Sequence, residues 1–353
     1  MAEIRRFEQA DLAATSALLH LHLTPETPEE QISSDLSATL LDAPWRDEEL
    51  PSLVAIDEGE VIGFIGAQIR RVRYKDRALR GICISHLTVA PASRGGAAGA
   101  LLLRRLLNEG QDFTYSDTAN DEVVRMWHTF GGHLDHARIF DWMVVLRPIG
   151  WLRRLGTDVV LRRELGRGQI PVGAFPFQAA RPKSGRWAVP EPGADVTSED
   201  VDAATIVEHL PEMTRRFRLW VDYDEQFLEH IFKEMETHFG RLTRRLVRRG
   251  ERPLGWYAYV PKRGGVSRVL HLLTDDRDAD AVLGDLVAHA RGQGTAVLTG
   301  RHEPHLTLPL QRHLPVLGFA RRPVIHCREP EVHAALASSD SMLSQLDGEW
   351  FVT

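Results

Sequence analysis

The feature that most restricts the fold is a change of periodicity between residues 80 and 108. Segment 80–89 (RGICISHLTV) alternates apolar residues with period two, as a half-buried strand does. Residues 98–108 carry Leu101, Leu102, Leu103, Leu106 and Leu107, the spacing of a helix with one apolar face. Between Arg94 and Leu101 no side chain is bulkier than methyl. A strand delivered through such a turn into an apolar helix must lay that helix over a sheet, which makes this an α/β domain. Small residues also let main chain come within hydrogen-bonding distance of a ligand. The unpaired N–H groups of a new helix favour an anion such as pyrophosphate, and Arg94 adds a cation. Close helix–strand packing would use the same small residues, and composition does not choose between the two.

At roughly 150 residues per domain, 353 residues predict two domains. A strand at 2–6 and helices at 9–22 and 27–41 come first, the second helix opening on Thr27 as cap and Pro28 at its first position. Strands at 51–57 and 61–71 flank a hairpin turn at Glu58-Gly59-Glu60. After the 80–108 unit come a strand at 112–116, a helix at 119–130 and two short strands within 133–147. The order then starts again. Helices at 199–209, 211–218 and 224–237 precede strands at 241–248, 254–261 and 266–273, then a helix at 278–292 and strands at 295–299 and 321–327. The expectation is two α/β domains in tandem, each a mixed, mostly antiparallel twisted sheet flanked by helices. They span 1–148 and 191–330, with a Pro- and Gly-bearing linker at 149–190 and a tail at 331–353 that packs on the body.

Charge narrows the function classes. The chain carries 43 basic and 49 acidic residues, a net charge of -6, and only Cys83 and Cys327 as cysteines. That excludes a disulfide scaffold and fits a reducing, cytoplasmic setting. No apolar run approaches the 18 residues of a membrane span, and the N-terminal residues are too charged for a secretory signal. Basic residues outnumber acidic ones nine to three between Asp141 and Pro190, but nothing there alternates with aromatics as a base-stacking surface would. Nucleic acid is therefore not an expected partner. The histidines at 128, 133, 136, 302, 305 and 313 lack metal-ligand spacing, so no metal is expected.

The pattern Leu87-x-Val89-x-Pro91-x-x-Arg94-Gly95-x-x-x-Gly99-x-Leu101-Leu102 resembles motif A of the GCN5-related N-acetyltransferase (GNAT) superfamily. Arg94, Gly95 and Gly99 match its RGxGxG form, Gly96 fills the free place, and Ala97 replaces the central glycine. The segment Asn120–Gly132 is similar to the family's Asn-x-x-Ala-x-x-x-Tyr-x-x-x-Gly-Phe helix, with Trp127 where the tyrosine usually stands. The resemblance spans residues 1–148. It implies that Leu87, Thr88, Val89, Arg94, Gly95, Gly96, Ala97, Ala98, Gly99, Ala100 and Asn120 bind an acyl-CoA co-substrate, acetyl-CoA foremost. The second half resembles the fold more weakly, through its order of elements and through Leu314–Phe319. Its counterpart loop has four aspartates between Asp275 and Asp280, which would repel a polyphosphate.

Acyl transfer to an amine requires a polarised carbonyl, a neutral amine and a proton for the thiolate. His86 is the candidate base, since period-two counting sets it opposite Leu87 and Val89. Indole is no ordinary acid near neutral pH, so Trp127 offers at most a hydrogen bond beside the sulfur, and Tyr115 is the substitute proton donor. Ser85, Asp117 and Glu122 are the candidate contacts to a basic acceptor. The expected function is an N-acyltransferase acting on a small-molecule amine. A ligand-binding scaffold of the same fold, or a transferase fed by an acidic carrier protein, are its rivals.

Overall fold

A computed structural model of the chain describes residues 2–93, 97–147, 192–313, 316–319 and 322–349. The expected linker at 149–190 lies outside the described residues. The chain forms two compact units, each discontinuous in sequence. One draws on Met1–Leu134, Arg322–His333 and Asp347–Val352, the other on Asp135–Arg321 and Ala334–Leu346.

The first unit contains β1 (Glu3–Arg6), α1 (Leu12–His22), α2 (Glu29–Leu36), β2 (Leu53–Asp57), β3 (Glu60–Tyr74), β4 (Arg77–Val89), α3 (Ala98–Leu107), β5 (Phe113–Ser116), α4 (Asp121–Thr129), β6 (His133–Leu134) and the late strand β15 (Val324–Cys327). Its sheet runs β1-β2-β3-β4-β5-β15-β6, antiparallel except for the β4–β5 pair. Glu58 (φ 51°) and Gly59 (φ 86°) turn the β2–β3 hairpin with both central residues left-handed, as a type I′ connection requires. Phe64 packs with Leu18, Leu19, Ile32 and Leu36 of α1 and α2, whereas a methyl group on Gly63 would meet Leu102 of α3 at 3.1 Å. Adjacent strand residues face opposite ways, so the two helix groups cover opposite faces of the sheet. The fully buried Leu102, Leu103, Leu106 and Leu107 hold α3 down, at about 1.5–3 kcal/mol each.

Three local expectations change. Pro28 occupies the N-cap of α2 with extended backbone (φ -58°, ψ 144°) and no side-chain cap, so Thr27 does not cap it. The helix itself gives way to a π-helical turn at Ser37–Leu41. The strand around Phe140, which the sequence assigns to the end of the first domain, belongs to the second sheet instead.

That second sheet runs β14-β7-β13-β12-β11-β10-β8. Its strands are β7 (Phe140–Val145), β8 (Val196–Asp200), β10 (Thr243–Arg249), β11 (Arg252–Val260), β12 (Val266–Thr274), β13 (Val297–Arg301) and β14 (Val316–Phe319). Only β12 and β13 are parallel. A short β9 (Leu219–Val221) pairs with β16 (Ser341–Met342). Helices α5 (Ala203–Thr214), α6 (Glu225–Phe239), α7 (Ala279–Gly292) and α8 (Thr307–His313) complete the unit. The sequence assigns helices to 199–209 and 211–218, but residues 196–200 pair with β10 and one helix runs through Pro211. Asp202 starts that helix by accepting from Thr205 N at 2.9 Å. The architecture is therefore two mixed, mostly antiparallel sheets, each flanked by helices.

Candidate active site

The β4–β5 ladder is short. Gly81, Ile82 and Cys83 pair with Phe113, Thr114 and Tyr115, after which β4 continues alone against β3 as far as Gly63↔Val89. The two parallel strands part beyond Cys83 and Tyr115 and leave a wedge between Ile84–Val89 and Ser116–Thr118. At the root of the wedge β4 bulges. Phe64 pairs with Thr88 and Gly66 with Ser85, so Ile65 alone faces both His86 and Leu87. His86 takes φ 56°, a left-handed conformation. The bulge overturns the period-two placement of His86, because alternation restarts after it. A glycine at 66 is needed here, since a methyl group would lie 2.4 Å from Ser85 Oγ.

Helix α3 begins beside the open end of the wedge. Its N-cap Ala97 supplies no side-chain cap, so the N–H groups of the first turn have no side-chain acceptor from that residue. A methyl group on Gly99 would meet Val89 Cγ2 at 3.2 Å, so the glycine also brings the helix start against the end of β4. At Gly99 the small-residue stretch therefore serves close packing of the helix start on β4. Arg94, Gly95 and Gly96 lie outside the described residues. Ser85 and Thr88 are buried on β4, and neither hydroxyl has a hydrogen-bond partner among the described residues. Leu87 and Val89 are half-buried.

His86, the candidate base of the sequence reading, sits in the β4 bulge. Burial pushes its imidazole down to about 4 against the pull of the Asp35 carboxylate, so the ring is neutral and weakly basic near pH 7. Tyr115, the substitute proton donor of the sequence reading, is enclosed as well. Its ring stacks on Phe113, its hydroxyl donates to the Asp347 carbonyl, and burial raises its pKa well above that of a free phenol. Trp127 is 1% exposed, Gly132 packs on its indole, and its N–H has no partner among the described residues. Asn120 caps α4 by accepting from Val123 N at 2.9 Å, which commits Oδ1. Glu122 is exposed on the first turn of α4, beside an Asp121 ion-paired to Arg322.

Asp117 is buried at the end of β5, and its partner is one that sequence reasoning missed. The tail segment Asp347–Glu349 lies along this end of the first sheet. Arg70 Nε donates to the Asp347 carbonyl at 2.8 Å, and Asp117 Oδ2 accepts from Glu349 N at 3.4 Å. The Glu349 carboxyl, 4% exposed at the residue level, accepts from Ser116 Oγ at 3.0 Å and from Thr118 Oγ1. Burial first, then the Asp117 charge, pushes it up to about 8 against the pull of those two hydroxyls. Sequence separation hid this residue, since its partners lie more than 230 positions away.

In the second unit the corresponding parallel pair, Val266–Val269 with Val297–Gly300, also ends early. There His271 stacks on Trp256 at 3.9 Å and its Nδ1 is hydrogen-bonded to Ser344 Oγ at 2.8 Å. In the aspartate-bearing turn the buried Asp278 pairs with Arg249 and Arg252 at 3.2 and 2.8 Å. Among the described residues no group of three His, Cys, Asp or Glu side chains could hold a metal ion, and no helix is long and apolar enough to cross a membrane.

Residues 16–131 match the model of the acetyltransferase (GNAT) family. No curated protein matches the chain significantly. Among solved structures it resembles a conserved protein of Enterococcus faecalis V583 described as a probable N-acyltransferase (9% identity, TM-score 0.59, 93% of this chain over 73% of that one). It also resembles GCN5-related N-acetyltransferases from Anabaena variabilis (11%, 0.61, 93% over 73%) and Kribbella flavida (14%, 0.57, 93% over 72%). The likeness is one of fold, a GNAT-type acetyltransferase fold with two sheet units.

Proposed function

We propose that the chain is an acyl-CoA-dependent N-acyltransferase with one donor site, formed by the β4–β5 wedge and the start of α3. The observation that carries this reading is the wedge itself. Two parallel strands part beside a helix start that has no side-chain cap, and two buried hydroxyls on the β4 strand that borders the wedge, Ser85 and Thr88, have no described partner. A ligand arm with amide groups lying between the strands would satisfy them, because buried polar atoms are rarely left unpaired. On this reading Arg94–Ala100 hold the pyrophosphate, and the main chain of Ser85–Val89 takes the arm and polarises the thioester carbonyl. Acyl-CoA supplies an activated acyl group, and the protein's part is to position it and to handle protons.

In the second unit, Trp256, His271 and Ser344 crowd the end of the parallel pair, and the ion-paired Asp278 stands in the adjacent turn. We assign that unit no donor site. The acceptor that fits best is a small cationic amine, since the buried Asp117 stands at the end of β5.

Titration calorimetry of the whole chain with acetyl-CoA tests the assignment. One site per chain is expected, with binding weakened at least tenfold in Arg94→Glu and Gly95→Glu variants that keep the parent circular dichroism spectrum. Absence of binding, or binding indifferent to both changes, would sink it; two sites would sink the reading of the second unit.

A further inference from the structure

The wedge contains a carboxyl that the acyl-transfer reading has not yet used. We propose that Glu349, carried into the first unit by the tail, is the proton donor to the thiolate that leaves when the acyl group is transferred. The inference rests on the donor-site reading above and gives that site its acid.

Geometry argues for it first. Glu349 is held by Ser116 and Thr118, the residues that form the β5 side of the wedge where the strands have parted. Thr118 is exposed, so the carboxyl lies one side chain below the surface of the opening. The other proton-bearing groups nearby are unsuited. The Tyr115 hydroxyl is committed to the Asp347 carbonyl, the Trp127 indole is not an acid near neutral pH, and burial pushes the Cys83 thiol well up. Among the described residues, the charged and titratable groups around Glu349 include Tyr115 on β5 and Asp117 just past its end, Cys83 on β4, Arg70 on β3 and Asp347 on its own segment. Among them burial and Asp117 keep the carboxyl protonated near neutrality, at about 8, where an acid for a thiolate is most effective.

The step balances. The amine nitrogen bonds to the acyl carbon, the carbon–sulfur bond breaks with its electron pair on sulfur, and that sulfur takes the Glu349 proton. The carboxylate then accepts the proton that the new amide nitrogen sheds, directly or through water, and the acid is restored.

The test compares two acyl donors in the whole chain with one amine found by screening. With acetyl-CoA, Glu349→Gln is expected to lower kcat by about 10²–10⁴-fold, with the acetyl-CoA dissociation constant within threefold of the parent. With p-nitrophenyl acetate, whose phenolate leaves without a proton, the same variant is expected to stay within about threefold. Equal losses with both donors would mean that Glu349 only anchors the tail, and an unchanged kcat would equally overturn the proposal. Asp117→Asn gives a second arm: removing the neighbouring charge eases ionisation of Glu349, so the alkaline fall in kcat moves to lower pH. A limb that stays in place counts against the assignment. A parent chain that neither binds acetyl-CoA nor acylates any amine overturns the donor-site reading, and this inference with it. Binding and turnover that ignore Glu349 overturn this inference alone.

Discussion

A methyl group on Gly81 would lie 2.4 Å from the ring of Phe113, so the first pair of the β4–β5 ladder depends on a missing side chain. Gly81→Ala is expected to destabilise the chain by about 1–3 kcal/mol, as overpacking does, read from urea unfolding at constant m-value. Glu349 makes a second single-residue prediction, through pH. Its folded pKa stands at about 8 against an ordinary 4.5, so between those values the folded state binds more protons than the unfolded one. Its contribution is therefore fully present below about pH 4.5 and is lost as pH rises toward 8, on the order of 3–5 kcal/mol in all. Glu349→Gln removes that slope, and unfolding free energies at pH 5 and pH 8 should lie closer together in the variant than in the parent. His86 runs the opposite way: neutral when folded, it withdraws stability as pH falls from about 6.5 to about 4. Neither shift is visible in the sequence, because both arise from burial. What the sequence does show is chemistry fixed by residue type alone, such as an indole at 127 that cannot act as an acid.

At the scale of elements, the helix α3 and strands β2 to β5 are legible because their periodicities are clean and their hairpin turn carries Gly59. The bulge in β4 is not, since Ser85-His86-Leu87 reads as uninterrupted alternation. What creates the bulge is non-local: Gly66 on the facing strand leaves room for the Ser85 hydroxyl, and Ile65 then faces two residues. His86 bears the cost, with a left-handed φ of 56° that glycine would adopt freely. His86→Gly is expected to hold or raise stability by up to about 1 kcal/mol, because the strain is relieved where the backbone already sits. His86→Val should lose about 1–2 kcal/mol, since a β-branched side chain resists that conformation. Urea midpoints check both. If Val were tolerated as well as Gly, the bulge would not be a fixed feature, and the wedge could not be a preformed site.

At the scale of the whole molecule, the order of elements in the sequence reads as a tandem repeat cut near residue 148. The strand pairing divides the chain differently. β15, from residues 324–327, lies between β5 and β6 in the first sheet, while β7, from residues 140–145, lies between β13 and β14 in the second. No local pattern could reveal this, because a strand's alternation says which face is buried and nothing of which sheet it joins. The consequence is testable with a fragment of residues 1–148. Without β15 the β5 strand becomes a bare edge along Phe113–Ser116, and without the tail the buried Arg70 and Tyr115 both lose the Asp347 carbonyl that receives them. A buried donor deprived of its acceptor costs about 1–3 kcal/mol, more for a charged group, and an open apolar edge invites association. These losses approach the entire stability of an ordinary domain. The fragment is therefore expected to be unfolded or aggregated, by circular dichroism and size-exclusion chromatography, under conditions where the full chain is folded. It should regain neither cooperative unfolding nor acetyl-CoA binding. A fragment that unfolds cooperatively and binds acetyl-CoA as tightly as the full chain would show that the first half is a complete domain, to which β15 and Glu349 are additions.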